Sequence, residues 1–215
     1  MSTRLTTLLV LLILVGTVIS GALLWNRLPD PMASHWNMND EVDGYMPKAS
    51  AVFMVPLISL AMFLLFLLVP LIDPLKANIA KFRPTFNLFI VLIFVFMGYL
   101  WKLTILWNLG FRGFRMSTAI VPALGLLFIF TAYMLRRAKR NWFIGIRTPW
   151  TLSSDRVWDE THRLGAILYL ASGIVAILGV FAGSYAFWLT IGPILLSTVV
   201  LVVYSYVLYH REAHA

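Results

Sequence analysis

Two short polar segments hold nearly every side chain of this sequence that could do acid–base, nucleophilic or metal chemistry. The first sets His35 beside Asn37, Asp40 and Asp43. A zinc site needs three or four His, Cys or carboxylate ligands, and one histidine with scattered acids falls short of that set. Calcium takes six or more oxygens at an organised spacing, and the EF-hand order is absent. A histidine satisfied inside a turn-rich loop and a histidine that touches a ligand both remain open for His35. The second segment offers Ser153, Ser154, Asp159 and His162, the residue types of a hydrolytic triad. No glycine elbow or oxyanion motif accompanies them, and Asp159 and His162 stand one helical turn apart, a common surface spacing. The absence of cysteine removes thiolate nucleophiles, disulfides and cysteine-held metals. No catalytic residue, metal or cofactor is expected.

Apolar chain positions these segments. Sixty per cent of the 215 residues are apolar or aromatic and 12% are charged, against roughly 25% charged in a soluble domain. Six stretches (5–25, 51–72, 86–107, 117–135, 164–183 and 185–209) come close to or exceed the roughly 20 residues that cross hydrocarbon. Backbone in lipid must satisfy its polar groups within the segment, so the stretches are helices. The expected fold is an all-α integral membrane protein, a six-transmembrane-helix bundle. Arg4, Lys76, Lys81, Arg83, Arg136, Arg137, Lys139, Arg140, Arg147, Arg156, Arg163 and Arg211 fall on one side. Arg27, Lys48, Arg112 and Arg115 fall on the other, and Lys102 lies within a span, near enough to its end to snorkel. Twelve against four makes both termini cytoplasmic (N-in, C-in).

The net charge of +8 then reads as a cytoplasmic face held against anionic lipid. Nucleic-acid binding would need a separate folded basic surface, which no polar segment is long enough to form. Arg4, the apolar run and Ser20-Gly21-Ala22 resemble a signal peptide, but the run continues through Trp25, and an uncleaved helix is expected. Spans almost free of ionisable groups argue against proton relays and carboxylate ion sites.

The outward segment, 26–50, is expected to be a structured loop. Pro29 and Pro31 force extended backbone on their predecessors, and Asp43-Gly44 signals a turn. The inward segment, 136–163, opens with a basic anchor, and its apolar piece 142–146 is too short to span and is expected at the interface. Ser153 or Ser154 can cap a helix with Asp155 in its first turn. On that amphipathic helix Asp159 with Arg163, and Arg156 with Glu160, are spaced for i,i+4 pairs. It is expected to continue unbroken into the fifth span. An unpaired guanidinium is costly to bury, so Arg147 is expected to clamp the 141–151 stretch onto Asp159 or Glu160, with Trp150 and Trp158 packed beneath and His162 buried alongside. Its planar fork would make Arg147→Lys fail nearly as badly as Arg147→Ala. Ser172, Ala176, Gly179 and Gly183 form a small-residue stripe suited to close packing on the sixth span.

The outward run Leu28-Pro29-Asp30-Pro31, His35-Trp36-Asn37-Met38-Asn39, Asp43-Gly44-Tyr45 and Lys48 resembles a short N-terminal module of bacterial and archaeal membrane proteins. The inward run Asn141-Trp142-Phe143-Ile144-Gly145-Ile146-Arg147-Thr148-Pro149-Trp150-Thr151, then Trp158 and Thr161-His162-Arg163, resembles the signature of the SdpI family. That family comprises membrane immunity and signalling proteins that protect producers of a secreted peptide toxin. The resemblance implies two units, 1–85 with outer loop 26–50, and 86–215 with cytoplasmic motif loop 136–163. It also implies a ligand-binding set of Pro29, His35, Asn37, Asp43, Gly44 and Lys48, and a cytoplasmic motif of Asn141, Gly145, Arg147, Thr148, Pro149, Trp150, Thr151, Trp158, His162 and Arg163. The implied partners are membrane lipid, an extracellular peptide toxin and, in some members, a cytoplasmic transcriptional repressor. Asp40 departs from the module, which usually has glycine there. A small transporter or flippase and a membrane-embedded enzyme stand as alternatives.

Overall fold

The structure, a computed structural model, describes residues 1–213 and is 78% helical. Six helices are long and apolar enough to cross a membrane, which makes the chain a multi-pass membrane protein. They include α1 (Thr3–Leu24), α2 (Lys48–Ile72), α3 (Lys76–Asn108) and α4 (Met116–Leu135). After the short α5 (Pro149–Ser153) come α6 (Asp155–Gly179) and α7 (Ala186–Ala213). Between α1 and α2 lies an antiparallel hairpin of β1 (Met32–Trp36) and β2 (Val42–Met46).

Helix ends follow local chemistry. Ser2 Oγ accepts from Leu5 N–H at 3.3 Å and starts α1. α3 begins ten residues before the expected span because chain on both sides of Pro84 is helical, joined across a break at Phe82 (φ −122°, ψ 16°). Proline removes a helix donor and crowds the preceding turn, which accounts for a break at this place. The amphipathic lead at Asp155 and the fifth span form one continuous helix, as expected, with Ser154 Oγ accepting from Val157 N–H at 3.2 Å.

The helices pack in two groups, α1 with α2 and α3, and α4 with α6 and α7, joined where α3 meets α4. The backbones of α4 and α6 come into direct contact, where a Cβ on Gly173 would stand 2.6 Å from the Gly125 carbonyl oxygen. Without a hydrophobic drive between helices in lipid, such backbone contact supplies the packing. The small-residue stripe faces α7, with Ser172 Oγ 3.3 Å from Ser197 Oγ and Gly179 against Leu189. Gly183 lies in the 3₁₀ turn that leads to α7.

The polar connections sort into two ends. At one, the hairpin meets the start of α4; at the other, the α2–α3 connection meets the long segment before α6. The hairpin turn is not at Asp43-Gly44. Gly44 lies inside β2 opposite His35, where a Cβ would come within 2.9 Å of His35 Cβ. The reversal occurs over residues 37–41, because Asn37 Oδ1 accepts from both Asn39 N–H (2.9 Å) and Glu41 N–H (3.1 Å) and organises the turn itself. Asp40 occupies the left-handed region at φ 62°, which favours glycine. Its carboxylate compensates by accepting from Ser117 N–H (2.8 Å) and Ser117 Oγ (2.5 Å) and pairing with Arg115 at 3.4 Å. Asp40 therefore caps α4 from a distant loop.

Asp40→Ala keeps the unfavourable φ and loses this cap, a cost of about 2 kcal/mol or more. Asp40→Gly relieves the backbone and is expected to unfold at a higher temperature than Asp40→Ala in detergent-solubilised full chain followed by helical circular dichroism. The reverse order would contradict the assigned role.

Candidate functional site

The segment between α4 and α6 is built around buried side-chain amide, hydroxyl and imidazole groups. Asn141, fully buried, uses both faces of its amide. Oδ1 accepts from Phe143 N–H (2.9 Å) and Ile144 N–H (2.6 Å), and Nδ2 donates to the carbonyls of Lys139 and Ile144, each at 2.8 Å. Gly145 follows at φ 119°, where a Cβ would collide with His162 Nε2. The next amide, Ile146 N–H, donates to His162 Nε2 at 3.0 Å. On its other side His162 Nδ1 lies 2.8 Å from the Trp158 carbonyl. An imidazole that accepts at Nε2 must carry its proton at Nδ1, so His162, 1% exposed, is held as one neutral tautomer.

Trp158 stacks on that ring at 4.0 Å and donates from Nε1 to the Ala138 carbonyl at 2.9 Å. Thr148 and Thr151 cap α5 reciprocally. Thr151 N–H donates to Thr148 Oγ1 (3.1 Å) and Thr148 N–H to Thr151 Oγ1 (2.9 Å), with Pro149 in the first turn. Thr151 Oγ1 also donates to the Ile146 carbonyl at 2.9 Å, and Thr148 Oγ1 reaches Ser205 Oγ of α7 at 3.1 Å. Trp150 packs edge-on against Tyr206 of α7 at 5.2 Å, not beneath the segment with Trp158.

The expected clamp is formed by other residues. Arg147 is exposed, and its Nη1 donates to the Trp142 carbonyl at 3.0 Å, a contact within its own segment that involves no acid. Lys139 and Arg140 hold α6 instead. Lys139 Nζ pairs with Asp159 at 3.2 Å; Arg140 Nε meets Asp155 at 2.7 Å while its Nη1 donates to the Leu152 carbonyl at 2.8 Å. The expected i,i+4 pairs do not form. Asp159 is drawn to Lys139, and Arg163 binds Glu160 one position nearer, at 2.6 Å.

A further set of anchors comes from the α2–α3 connection and the first turn of α3. Asp73, 2% exposed, accepts from Leu75 N–H at 2.6 Å and from Trp142 N–H at 2.9 Å. Asn78 Nδ2 donates to the Arg140 carbonyl at 2.9 Å. Spacing in the sequence points to neither; the isolated acid Asp73 beside Pro74, at the end of an apolar run, is the one local signal.

At the hairpin end most of the expected binding set has structural work. Asn37 organises the turn, and Lys48 Nζ donates to the Trp25 (3.3 Å) and Leu28 (3.4 Å) carbonyls over the Trp25 ring. Pro29 is exposed just before the cis Asp30–Pro31 bond. His35 and Asp43 remain on the surface, joined at 2.5 Å. The grouping of His35 with Asn37, Asp40 and Asp43 is thereby dispersed, since Asn37 faces the turn and Asp40 faces α4. Among the described residues no group of three or more acidic or histidine side chains could hold a metal ion.

A model of the SdpI/YfhL protein family matches residues 137–205, from the start of this hydrogen-bonded segment to Ser205 on α7. A model of a domain of unknown function, DUF1648, matches 12–60, which spans most of α1, the hairpin and half of α2. Immunity protein SdpI of Bacillus subtilis (strain 168) is 25% identical over 202 residues, 94% of each chain. The α4–α6 segment with α6 and most of α7 is thus similar to the SdpI/YfhL family. No solved structure matches it significantly.

Within this segment the residues that resemble the SdpI signature are mostly consumed by bonds to one another. Trp142 (51% exposed), Phe143 (37% exposed), Arg147, Pro149 and Arg163 are the parts that face outward. Asn141→Ala would strand two amides and two carbonyls at a buried place, each worth about 1 kcal/mol or more. It is expected to cost about 3 kcal/mol and to lower membrane abundance sharply. Arg147→Ala and Arg147→Lys, exposed and bonded only to a local carbonyl, are each expected to cost less than about 1 kcal/mol. Thermal unfolding of the purified variants measures both, and an Arg147→Ala as damaging as Asn141→Ala would contradict the assignment.

Proposed function

We propose that this protein is a non-enzymatic membrane immunity protein that protects its host against a secreted peptide toxin. Collinear similarity to Immunity protein SdpI over 94% of both chains carries the reading. The geometry supports it in two ways. The only histidine in the α4–α6 segment is locked in place by Ile146 and Trp158, which leaves it no free nitrogen for acid–base work. Two cavities, about 640 Å³ between α1 and α2 and about 260 Å³ between α3 and α4, are lined by apolar residues and one tyrosine, so neither resembles a polar transport path.

In this reading the twelve-to-four distribution of basic residues sets the hairpin outside and the Asn141–His162 assembly in the cytoplasm. The hairpin senses the toxin through exposed His35 and Asp43. The assembly locks α4, α6 and α7 together and offers Trp142, Phe143 and Arg147 to lipid headgroups or, for a signalling role, to a repressor.

Expression in a toxin-sensitive bacterium tests protection directly. Survival under toxin is expected with the full chain and lost with His35→Ala plus Asp43→Ala at unchanged abundance, whereas Asn37→Ala is expected to reduce abundance. No gain in survival with the parent chain would refute the immunity role. Because the chain has no native cysteine, single cysteines near His35 and Arg147 can report topology. The first is expected to react with an impermeant thiol reagent from outside and the second only after lysis; labelling of both from one face would contradict the orientation.

A further inference from the structure

The rest of the chain treats the two edges of the hairpin differently. On the β1 edge Asn108, the last residue of α3, accepts from Ala33 N–H at 2.8 Å and donates to the Ala33 carbonyl at 2.9 Å, as a neighbouring strand would. These groups therefore point away from β2. Directly opposed residues in an antiparallel ladder either exchange both bonds or turn both pairs of groups outward. Ala33 opposes Tyr45, in register with the adjoining Met32–Met46 pair. The N–H and C=O of Tyr45 consequently point out of the far edge of the sheet.

Nothing seals that edge. β1 lies against α2 and α3, while β2 packs chiefly on β1. Among the described residues no other element bonds the Tyr45 peptide, and Tyr45 is 64% exposed. An open edge of this kind is a template for another strand. Its charge is one-sided. Residues 37–46 contain Asp40, Glu41 and Asp43 and no lysine or arginine. Asp40 is turned inward to Ser117 and Arg115, while Glu41 and Asp43 stay exposed, Glu41 accepting from Asn37 at 3.1 Å and Asp43 paired with His35.

We propose that the β2 edge binds an extended segment of a cationic peptide, which joins the sheet as a third strand across Tyr45 while its basic side chains meet Glu41 and Asp43. This rests on reading the hairpin as the sensor of an immunity protein, and it supplies the mode of recognition. Main-chain bonds give affinity without demanding one ligand sequence, and the acids select for charge.

The test uses the full chain in phosphatidylcholine nanodiscs, whose neutral lipid does not attract cations. The probe is a fluorescent, acetylated heptapeptide of alternating lysine and valine, compared by anisotropy with the same peptide N-methylated on alternate amides. Binding above that of empty nanodiscs is expected, weakened about tenfold or more by methylation, which removes the edge donors and keeps the charge. Tyr45→Pro, which an edge strand tolerates, is expected to weaken binding to a similar degree, and Tyr45→Ala to leave it near that of the parent. Glu41→Gln with Asp43→Asn is expected to weaken binding and flatten its salt dependence.

Equal binding of the two probes, or full binding by a folded Tyr45→Pro, would overturn the proposal. If Tyr45→Pro does not fold, the two probes on the parent chain decide alone. Self-association through this edge with no probe binding would assign it to a second copy and also overturn the proposal. Protection in cells without probe binding removes edge docking and leaves the immunity role standing; probe binding without protection does the opposite.

Discussion

Irregular backbone packed among membrane helices has to find a partner for each buried N–H and C=O, because neither lipid nor apolar side chains can supply one. The rest of this structure depends on how residues 138–151 meet that demand. Ile144 is bonded through both its N–H and its carbonyl by Asn141, Ile146 N–H by His162, and Trp142 N–H by Asp73. Each such bond is worth only about 1 kcal/mol net, but each one left unmade costs about 1–3 kcal/mol. These side chains are therefore constrained by what their absence would expose. The segment reads as a self-satisfying fold, with Asn141, Thr151 and His162 held in bonds to its own backbone.

The same segment ties the two helix groups together. Asp73 reaches it from the α2–α3 connection and Asn78 from the first turn of α3, Thr148 and Trp150 reach α7, and Lys139 and Arg140 hold the start of α6. At the far end the hairpin plays a corresponding part. Asn108 grips β1, Asp40 caps α4, and Lys48 closes the end of α1. Between these two polar ends the bundle is almost entirely apolar, with backbone contact at Gly125 and Gly173 in place of buried charge. Mechanical connection between the ends therefore runs through helix packing, with no buried polar chain to relay it among the described residues.

The spans were legible because hydrocarbon imposes a length and an apolar content that one sequence displays directly. The cap at Ser154, the unbroken α6 and the Ser172–Gly179 stripe were legible for a related reason, since each depends on spacing within one helix. What the sequence hid was non-local. Asp40 bonds Ser117, Asp73 bonds Trp142 and Arg140 bonds Asp155, and no periodicity links any of these pairs. Local spacing offers Arg147 the acids Asp159 and Glu160, whereas in space Lys139 pairs with Asp159 and Arg140 with Asp155. Asp43-Gly44 has turn composition, but Asn37 captures two amides and moves the reversal upstream. The burial of His162 beside Trp158 was readable from their shared helix face; its bond to Ile146 was not.

That bond is where the account is most exposed to test. Nitrogen NMR of the full chain, with ¹⁵N-labelled histidine, in detergent or bilayers near pH 7, reads the His162 ring directly; a His162→Gln variant identifies its signals. The structure predicts one static neutral tautomer, protonated at Nδ1 and bare at Nε2, with Nε2 coupled to the Ile146 amide. A doubly protonated ring, the opposite tautomer, or rapid averaging between the two would contradict a His162 held by the backbone.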